Sequence, residues 1–158
     1  YFAATTGNTD WGDDARPALA RWTGSGVVLE YTDDHRPGKG FWSGCSFRGK
    51  RYLGGSGTNL GDARIWCVED ARTVFVSQRH NVIHWMGAHN GTMWALLSTT
   101  ADSGAEAWAT KDGRSWTNVG GSFSCPLLFH AMFSDDGALT LVGGKWRGYG
   151  RVYKSRRG

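Results

Sequence analysis

The chain has 158 residues, of which 40% are apolar and 20% charged, with 24 glycines, three prolines and a formal net charge of +4. That length can bury one sizeable core, and so many glycines suit a single turn-dense β domain of residues 1–158. No apolar run of about 18 residues could cross a membrane and no signal-peptide pattern is present, so membrane insertion is not expected.

In chain order, Tyr1 to Thr6 reads as a strand without a hairpin partner before it, and because the first residue is Tyr the start is expected to be processed or cut. Gly7 to Ala18 reads as a polar loop carrying Trp11, Asp13, Asp14 and Arg16. Leu19 to Thr23 and Val27 to Thr32 form the next hairpin, and Asp33 to Lys39 is a breaker-rich connection. Phe41 to Phe47 and Arg51 to Gly55 pair across Arg48-Gly49; Val82 to His89 and Met93 to Ser98 pair across Asn90-Gly91. Both dipeptides suit tight hairpin turns. Between them, Arg64 to Glu69 and Thr73 to Gln78 are strands, followed by the short Arg79-His80-Asn81 link. Glu106 to Lys111 pairs with Ser115 to Val119, Leu127 to Phe133 with Ala138 to Val142 across Asp136-Gly137, and Arg151 to Ser155 is the last strand. Gly143 to Gly150 is a loop with Trp146, Arg147 and Tyr149.

The segment Ala107 to Trp116 recurs in weaker form. Trp22, Trp66, Trp108 and Tyr153 are 44, 42 and 45 residues apart, and the turn glycines Gly49, Gly91 and Gly137 keep the same phase. Each period therefore holds two hairpins and four short strands, the content of one propeller blade. Asp112 can bond its own turn while Gly113 takes positive φ without a Cβ clash.

Thr110, Asp112, Gly113, Ser115 and Trp116 match every position of the short Asp-box, Ser/Thr-x-Asp-Gly-x-Ser/Thr-Trp, so the chain resembles the bacterial neuraminidase (BNR) repeat family. Ile65 to Val74 is a degenerate copy with Ala71 for the glycine, and Val152 to Gly158 another with Arg157 for the aspartate. The resemblance implies an all-β propeller of four-stranded antiparallel blades in which the Asp-box joins third and fourth strands. With that phase there are about four blades, holding three, four, four and three strands, the first without its inner strand and the last without its outer one. Open edges are adhesive, so the chain is expected either to belong to a larger propeller or to gain strands from another chain, as a homo-oligomer or against a neighbour.

The resemblance assigns the Asp-box residues a structural part in their turn. Trp22, Trp42, Trp66, Trp85, Trp94 and Trp108 are expected to fill the spaces between blades. His84 and His130, each seven residues before a turn glycine, occupy equivalent inner-strand positions beside Trp42 and are read as packing residues. No metal site or cofactor is predicted; Cys45, Cys67 and Cys125 have no Cys-x-x-Cys spacing and are read as free thiols, at most one bridge being open to them.

The longer connections fall at one end of the blades, which is the candidate binding face. It collects Trp11, Asp13, Asp14, Arg36, Arg79, His80, Trp146, Arg147 and Tyr149. Aromatic rings beside Arg and Asp suit sugars, whose C–H faces stack while their hydroxyls take hydrogen bonds; plain packing of these loops is the other open reading. The basic residues Lys145, Arg147, Arg151, Lys154, Arg156 and Arg157 come without any nucleic-acid motif and read as a solvated strand and end, so nucleic acid is not an expected partner.

The sialidase-like parts list is incomplete: there is no Arg-Ile-Pro motif, and Glu30, Glu69 and Glu106 read as strand residues away from the loop face. A glycoside hydrolase would have to use Asp13 or Asp14 with Asp102. The expectation is a non-catalytic, lectin-like recognition or assembly module, extracellular or virion-associated, with a glycan or protein ligand. A glycoside hydrolase fragment and a structural part of a phage tail or other virion assembly are the alternatives.

Overall fold

The computed structural model describes residues 2–6, 16–32, 40–56, 63–98, 104–123, 127–133, 138–145 and 149–154. Among these the chain forms fourteen strands and no helix. The first sheet is β1 (Phe2–Thr6), β2 (Arg16–Trp22) and β3 (Val27–Thr32), and the second is β4 (Gly40–Phe47), β5 (Lys50–Ser56), β6 (Arg64–Cys67) and β7 (Arg72–Val76). The third is β8 (Val82–His89), β9 (Thr92–Ser98), β10 (Ala105–Thr110) and β11 (Thr117–Phe123). The fourth is β12 (Leu127–Phe133), β13 (Leu139–Gly144) and β14 (Gly150–Lys154). Every pairing is antiparallel between neighbours in sequence.

Two-residue turns fix the register of two sheets. Arg48 and Gly49 take φ of 50° and 77°, Asn90 and Gly91 of 47° and 71°. Positive φ at both central positions is the turn whose twist matches a hairpin. It seats Phe47 opposite Lys50 and His89 opposite Thr92. A slip of one residue would send each apolar side chain to the opposite face. At the β6 to β7 turn the third positive φ falls on Ala71, at 48°, where the sequence offers no glycine.

The sheets pack face to face in chain order. Between the second and third lie Tyr52, Ile65, Cys67, Ile83, Met93, Ala95 and Leu97. Between the third and fourth lie Leu96, Ala105, Ala107, Leu128, Ala131, Leu139 and Leu141. Aromatic rings close both interfaces near their outer strands: Phe75 meets Trp108 at 5.1 Å and Trp116 at 5.4 Å, and Phe123 meets Tyr153 at 4.9 Å. Ser43 Oγ donates to the Ile83 carbonyl at 2.9 Å, and Ser98 Oγ accepts from the Leu128 amide at 2.8 Å, so hydroxyls also tie β4 to β8 and β9 to β12.

β4, β8 and β12 run side by side, each the first strand of its sheet. β1 packs beside β4 as β5 does beside β8 and β9 beside β12. In position, then, β1 is a second strand, and the first sheet has no counterpart of β4 among the described residues. The fourth and first sheets have no extensive contact among the described residues, so the four sheets do not close a ring.

Several local expectations need correction. Arg16 and Pro17 belong to β2 and not to a loop; Pro17 pairs with Thr5, while the register with β3 starts at Ala18, so the missing N–H falls outside that ladder. Glu69 lies in the turn after β6, where Arg51 holds it through its backbone N–H and Nε, each at 2.6 Å. β11 starts at Thr117 and runs to Phe123, because Ser115 is bound into the turn. Trp22 and Trp42 are 54% and 45% exposed instead of filling inter-sheet space. Trp22 is the anchor of the outermost sheet, and Trp42 lies on an edge strand.

Cys45 and Cys67 face the two sides of Tyr52 in register, one strand away on each side. Strands two apart are separated by about 9.6 Å, too far for a bridge. Both thiols are free, and burial pushes the Cys45 thiol up to about 12. Cys125 lies outside the described residues.

Gly54 lets the second and third sheets approach: a Cβ there would lie 2.5 Å from Ser43 Oγ, 2.8 Å from Ile83 Cγ2 and 3.0 Å from Met86 Sδ. Gly54→Ala is expected to cost about 1–3 kcal/mol as overpacking, read from the urea midpoint. Ala71→Gly, by contrast, is expected to gain up to about 1 kcal/mol, since it relieves a left-handed non-glycine residue. An unchanged midpoint for both variants would refute this account of the two positions.

Candidate functional site

The antiparallel order puts the tight turns at one end of each sheet and the longer connections at the other. Of the residues predicted for that connection end, Trp11, Asp13, Asp14, Arg36, Trp146 and Arg147 lie outside the described residues, as does Asp102. Arg79, His80 and Tyr149 are described, and they stand in quite different surroundings.

His80 is 1% exposed, in the link between β7 and β8. Its Nε2 donates to the Gly104 carbonyl at 3.1 Å, which leaves Nδ1 to accept the Ser77 hydroxyl at 3.0 Å. Ser77 Oγ in turn accepts from the backbone N–H of His80 at 3.2 Å and of Arg79 at 3.3 Å. Glu106 Oε2 is 3.9 Å from Nδ1 and takes the Trp108 indole N–H at 2.8 Å, while Arg79 reaches Glu106 Oε1 at 3.9 Å from an exposed position. A nucleophilic relay needs the hydroxyl and the acid on opposite ring nitrogens. Here both lie on the Nδ1 side and a backbone carbonyl fills the other. The cluster fastens the crossover from the second sheet to the start of β10, with the His80 carbonyl accepting from the Ala63 amide at 3.1 Å. The spacing Ser77-x-x-His80 carries a signal that sequence reading passed over, a hydroxyl capping backbone amides two and three residues on.

Tyr149 is 46% exposed at the neck of the β13 to β14 connection, closed by the Lys145 amide on the Tyr149 carbonyl at 3.0 Å. The Arg151 guanidinium carbon lies 4.6 Å from its ring centre. A solvent-facing ring with a cation beside it can stack on an apolar ligand face and donate hydrogen bonds at its rim.

The two inner-strand histidines are not equivalent. Bulges fall between Ile83 and Trp85 in the third sheet and between Leu128 and His130 in the fourth, so the register aligns His130 with Trp85 and puts His84 at the level of position 129. The longer β12 to β13 connection displaces the count from the turn glycine by one. His84 meets Trp42 edge-on at 6.1 Å, and burial lowers its pKa; His130 is exposed and meets Trp85 at 5.9 Å.

At the turn end, Thr110 to Trp116 forms a closed hydrogen-bond set. Asp112 accepts from the backbone N–H of Ser115 at 2.7 Å and of Arg114 at 2.8 Å, and from the Thr110 and Ser115 hydroxyls at 2.9 Å each. The Thr110 oxygen accepts from the Gly113 amide at 3.0 Å. These donors, the Ser115 amide foremost, hold the Asp112 carboxyl well below the usual carboxylate range. It is therefore ionised at neutral pH and has no proton to give. Among the described residues no cluster of His, Cys, Asp and Glu could hold a metal ion.

No protein-family model matches the chain, and neither does any curated protein.

Because the Asp112 pKa is depressed on folding, its contribution to stability is full above the unfolded value near 3.9 and is lost as pH falls toward the folded one. Asp112→Asn should lower the urea midpoint by a constant amount above about pH 5, and the gap should narrow below about pH 4. A gap that does not change with pH would contradict this reading of the turn.

Proposed function

We propose that this chain is part of a BNR/Asp-box β-propeller and works as a non-catalytic recognition and assembly module, outside the cytoplasm on a secreted protein or a virion. It binds a glycan or a protein partner through the connection end of its sheets. Four antiparallel sheets, packed in chain order with a hydrogen-bonded Thr-x-Asp-Gly-x-Ser-Trp turn between β10 and β11, support the propeller reading.

The observation that carries the binding reading is the exposed Tyr149 ring with Arg151 beside it, in the connection that also contains Trp146 and Arg147. Against a glycan array, the 158-residue chain is expected to bind, and Tyr149→Ala and Trp146→Ala to weaken that binding by about tenfold or more. Asp112→Asn, at the opposite end, should leave affinity intact. Glycan binding that survives Tyr149→Ala would refute this face. Hydrolysis of a glycan that Asp13, Asp14 or Asp102 variants abolish would favour the glycoside hydrolase reading instead.

A structural part in an assembly has its own support in the first sheet, where Trp22 and Val27, opposite each other in register, are 54% and 65% exposed. An apolar patch of that kind suits contact with a neighbouring chain. Light scattering coupled to size exclusion is expected to show a defined oligomer that Val27→Lys converts to monomer; a monomer at every concentration would oppose assembly through this patch.

A further inference from the structure

Three turns meet at the turn end of the second sheet. β5 lies between β4 and β6, so the Arg48-Gly49 turn stands beside the turn from β6 to β7, and the Lys50 ammonium bonds Asp70 across them. The turn after β10 covers the same end from the third sheet. Gly113, at φ 78°, lies so close to Tyr52 that an added Cβ would fall 2.2 Å from the phenol oxygen, and Trp116 packs on the cluster that holds Tyr52 and Cys67. Arg114, next to that glycine, is near enough to act electrostatically on the Tyr52 phenol, as Asp70 is.

Cations outnumber acids where these turns meet. Arg51 takes Glu69, while Asp70 is shared by Lys50 and, at 3.9 Å, by the half-exposed Arg72. Asp112 is bonded within its own turn. Arg48 and Arg114 are exposed and have no acid partner among the described residues; the Arg48 guanidinium carbon lies 5.6 Å from the Phe47 ring centre. Neither arginine is asked for by its turn. Arg48 sits at φ 50°, a conformation that Asn and Gly adopt more readily, and the same turn of the third sheet is Asn90-Gly91. Arg114 gives the Asp112 carboxylate only its backbone N–H. Long cations where the backbone favours other residues point to a use outside the fold. The rings beneath them are covered, Phe47 at 5% and Tyr52 at 4% exposure, so this end has neither a platform for stacking bases nor a pocket for a peptide's apolar anchor.

We propose that the turn end of the second sheet binds a sulfated polysaccharide, with Arg48, Arg72 and Arg114 holding sulfate groups along one chain. A guanidinium fork takes two oxygens of one sulfate, and such a partner binds through spaced charges without an apolar anchor. Neighbouring hairpin turns of one sheet stand about 10 Å apart, two strand spacings, so a chain with a charge on each sugar can reach more than one arginine. Asp70 does not repel it, because Lys50 and Arg72 already balance that carboxylate. The site lies at the opposite end of the sheets from Tyr149 and does not depend on the ligand proposed there.

The test is calorimetric titration of the full 158-residue chain with dextran sulfate at a series of sodium chloride concentrations. Saturable binding is expected, its logarithm falling linearly with the logarithm of salt as counterions are released. Arg48→Asn, which keeps the left-handed turn, and Arg114→Gln should each weaken binding about threefold or more at fixed salt and reduce the salt slope by about 1, with no fall in the thermal midpoint. Lys154→Gln removes one charge from the fourth sheet and should weaken binding by less than about twofold. Absence of saturable binding would overturn the proposal, and so would an equal loss on Lys154→Gln, which marks attraction to net charge alone. Duplex DNA or polyglutamate binding as tightly as dextran sulfate, with the same sensitivity to Arg48→Asn and Arg114→Gln, would also overturn it. Tyr149→Ala should leave dextran sulfate binding unchanged, while unsulfated glycans report on the connection end, so the two readings fail separately.

Discussion

An antiparallel sheet with apolar side chains on both faces cannot stand alone in water, and covering both faces is the constraint that the rest of this structure obeys. β9 shows it most directly. Met93, Ala95 and Leu97 belong to the core shared with the second sheet, while Leu96 belongs to the core shared with the fourth. Such a strand reads as a continuous apolar run, and it is tolerated only because a sheet lies on either side. The ring contacts at Phe75 and Phe123 and the hydroxyl ties of Ser43 and Ser98 follow from it. All of them lie where neighbouring sheets are already forced together.

Much of the fold is legible in the chain, and the reasons are local. Asn90-Gly91 and Arg48-Gly49 state both the place and the type of their turns, so the strands on either side follow with their register. The spacing of Trp22, Trp66, Trp108 and Tyr153 states the period, and the phase implied by the Asp-box resemblance divides the strands into sets of three, four, four and three, which is the grouping found. What escapes is whatever depends on a neighbour distant in sequence. The extra residues of the β12 to β13 connection do not show in a count from the turn glycine, and they break the equivalence of His130 with His84. Whether a tryptophan is covered depends on the next sheet and not on its own strand, hence the exposed Trp22 and half-buried Trp108.

The candidate site was harder to read because polarity does not reveal accessibility. Arg79 and His80 are adjacent in a polar link, yet one side chain reaches solvent and the other is sealed between Ser77 and Gly104. A buried histidine with both nitrogens bonded is a fastening, and the same residue types on a surface would be a binding site. Tyr149 differs by standing at the neck of a hairpin with a cation at its ring, an arrangement that β14 provides by placing Arg151 two residues on.

The turn from 111 to 116 points one way along the chain, since it covers the sheet before it. Synthesis proceeds in the same direction. The third sheet emerging from the ribosome would seal the second, while its own face toward the fourth stays open until the next hairpin appears. Translational pauses would therefore matter most just after a third strand, before the sealing turn has left the exit tunnel.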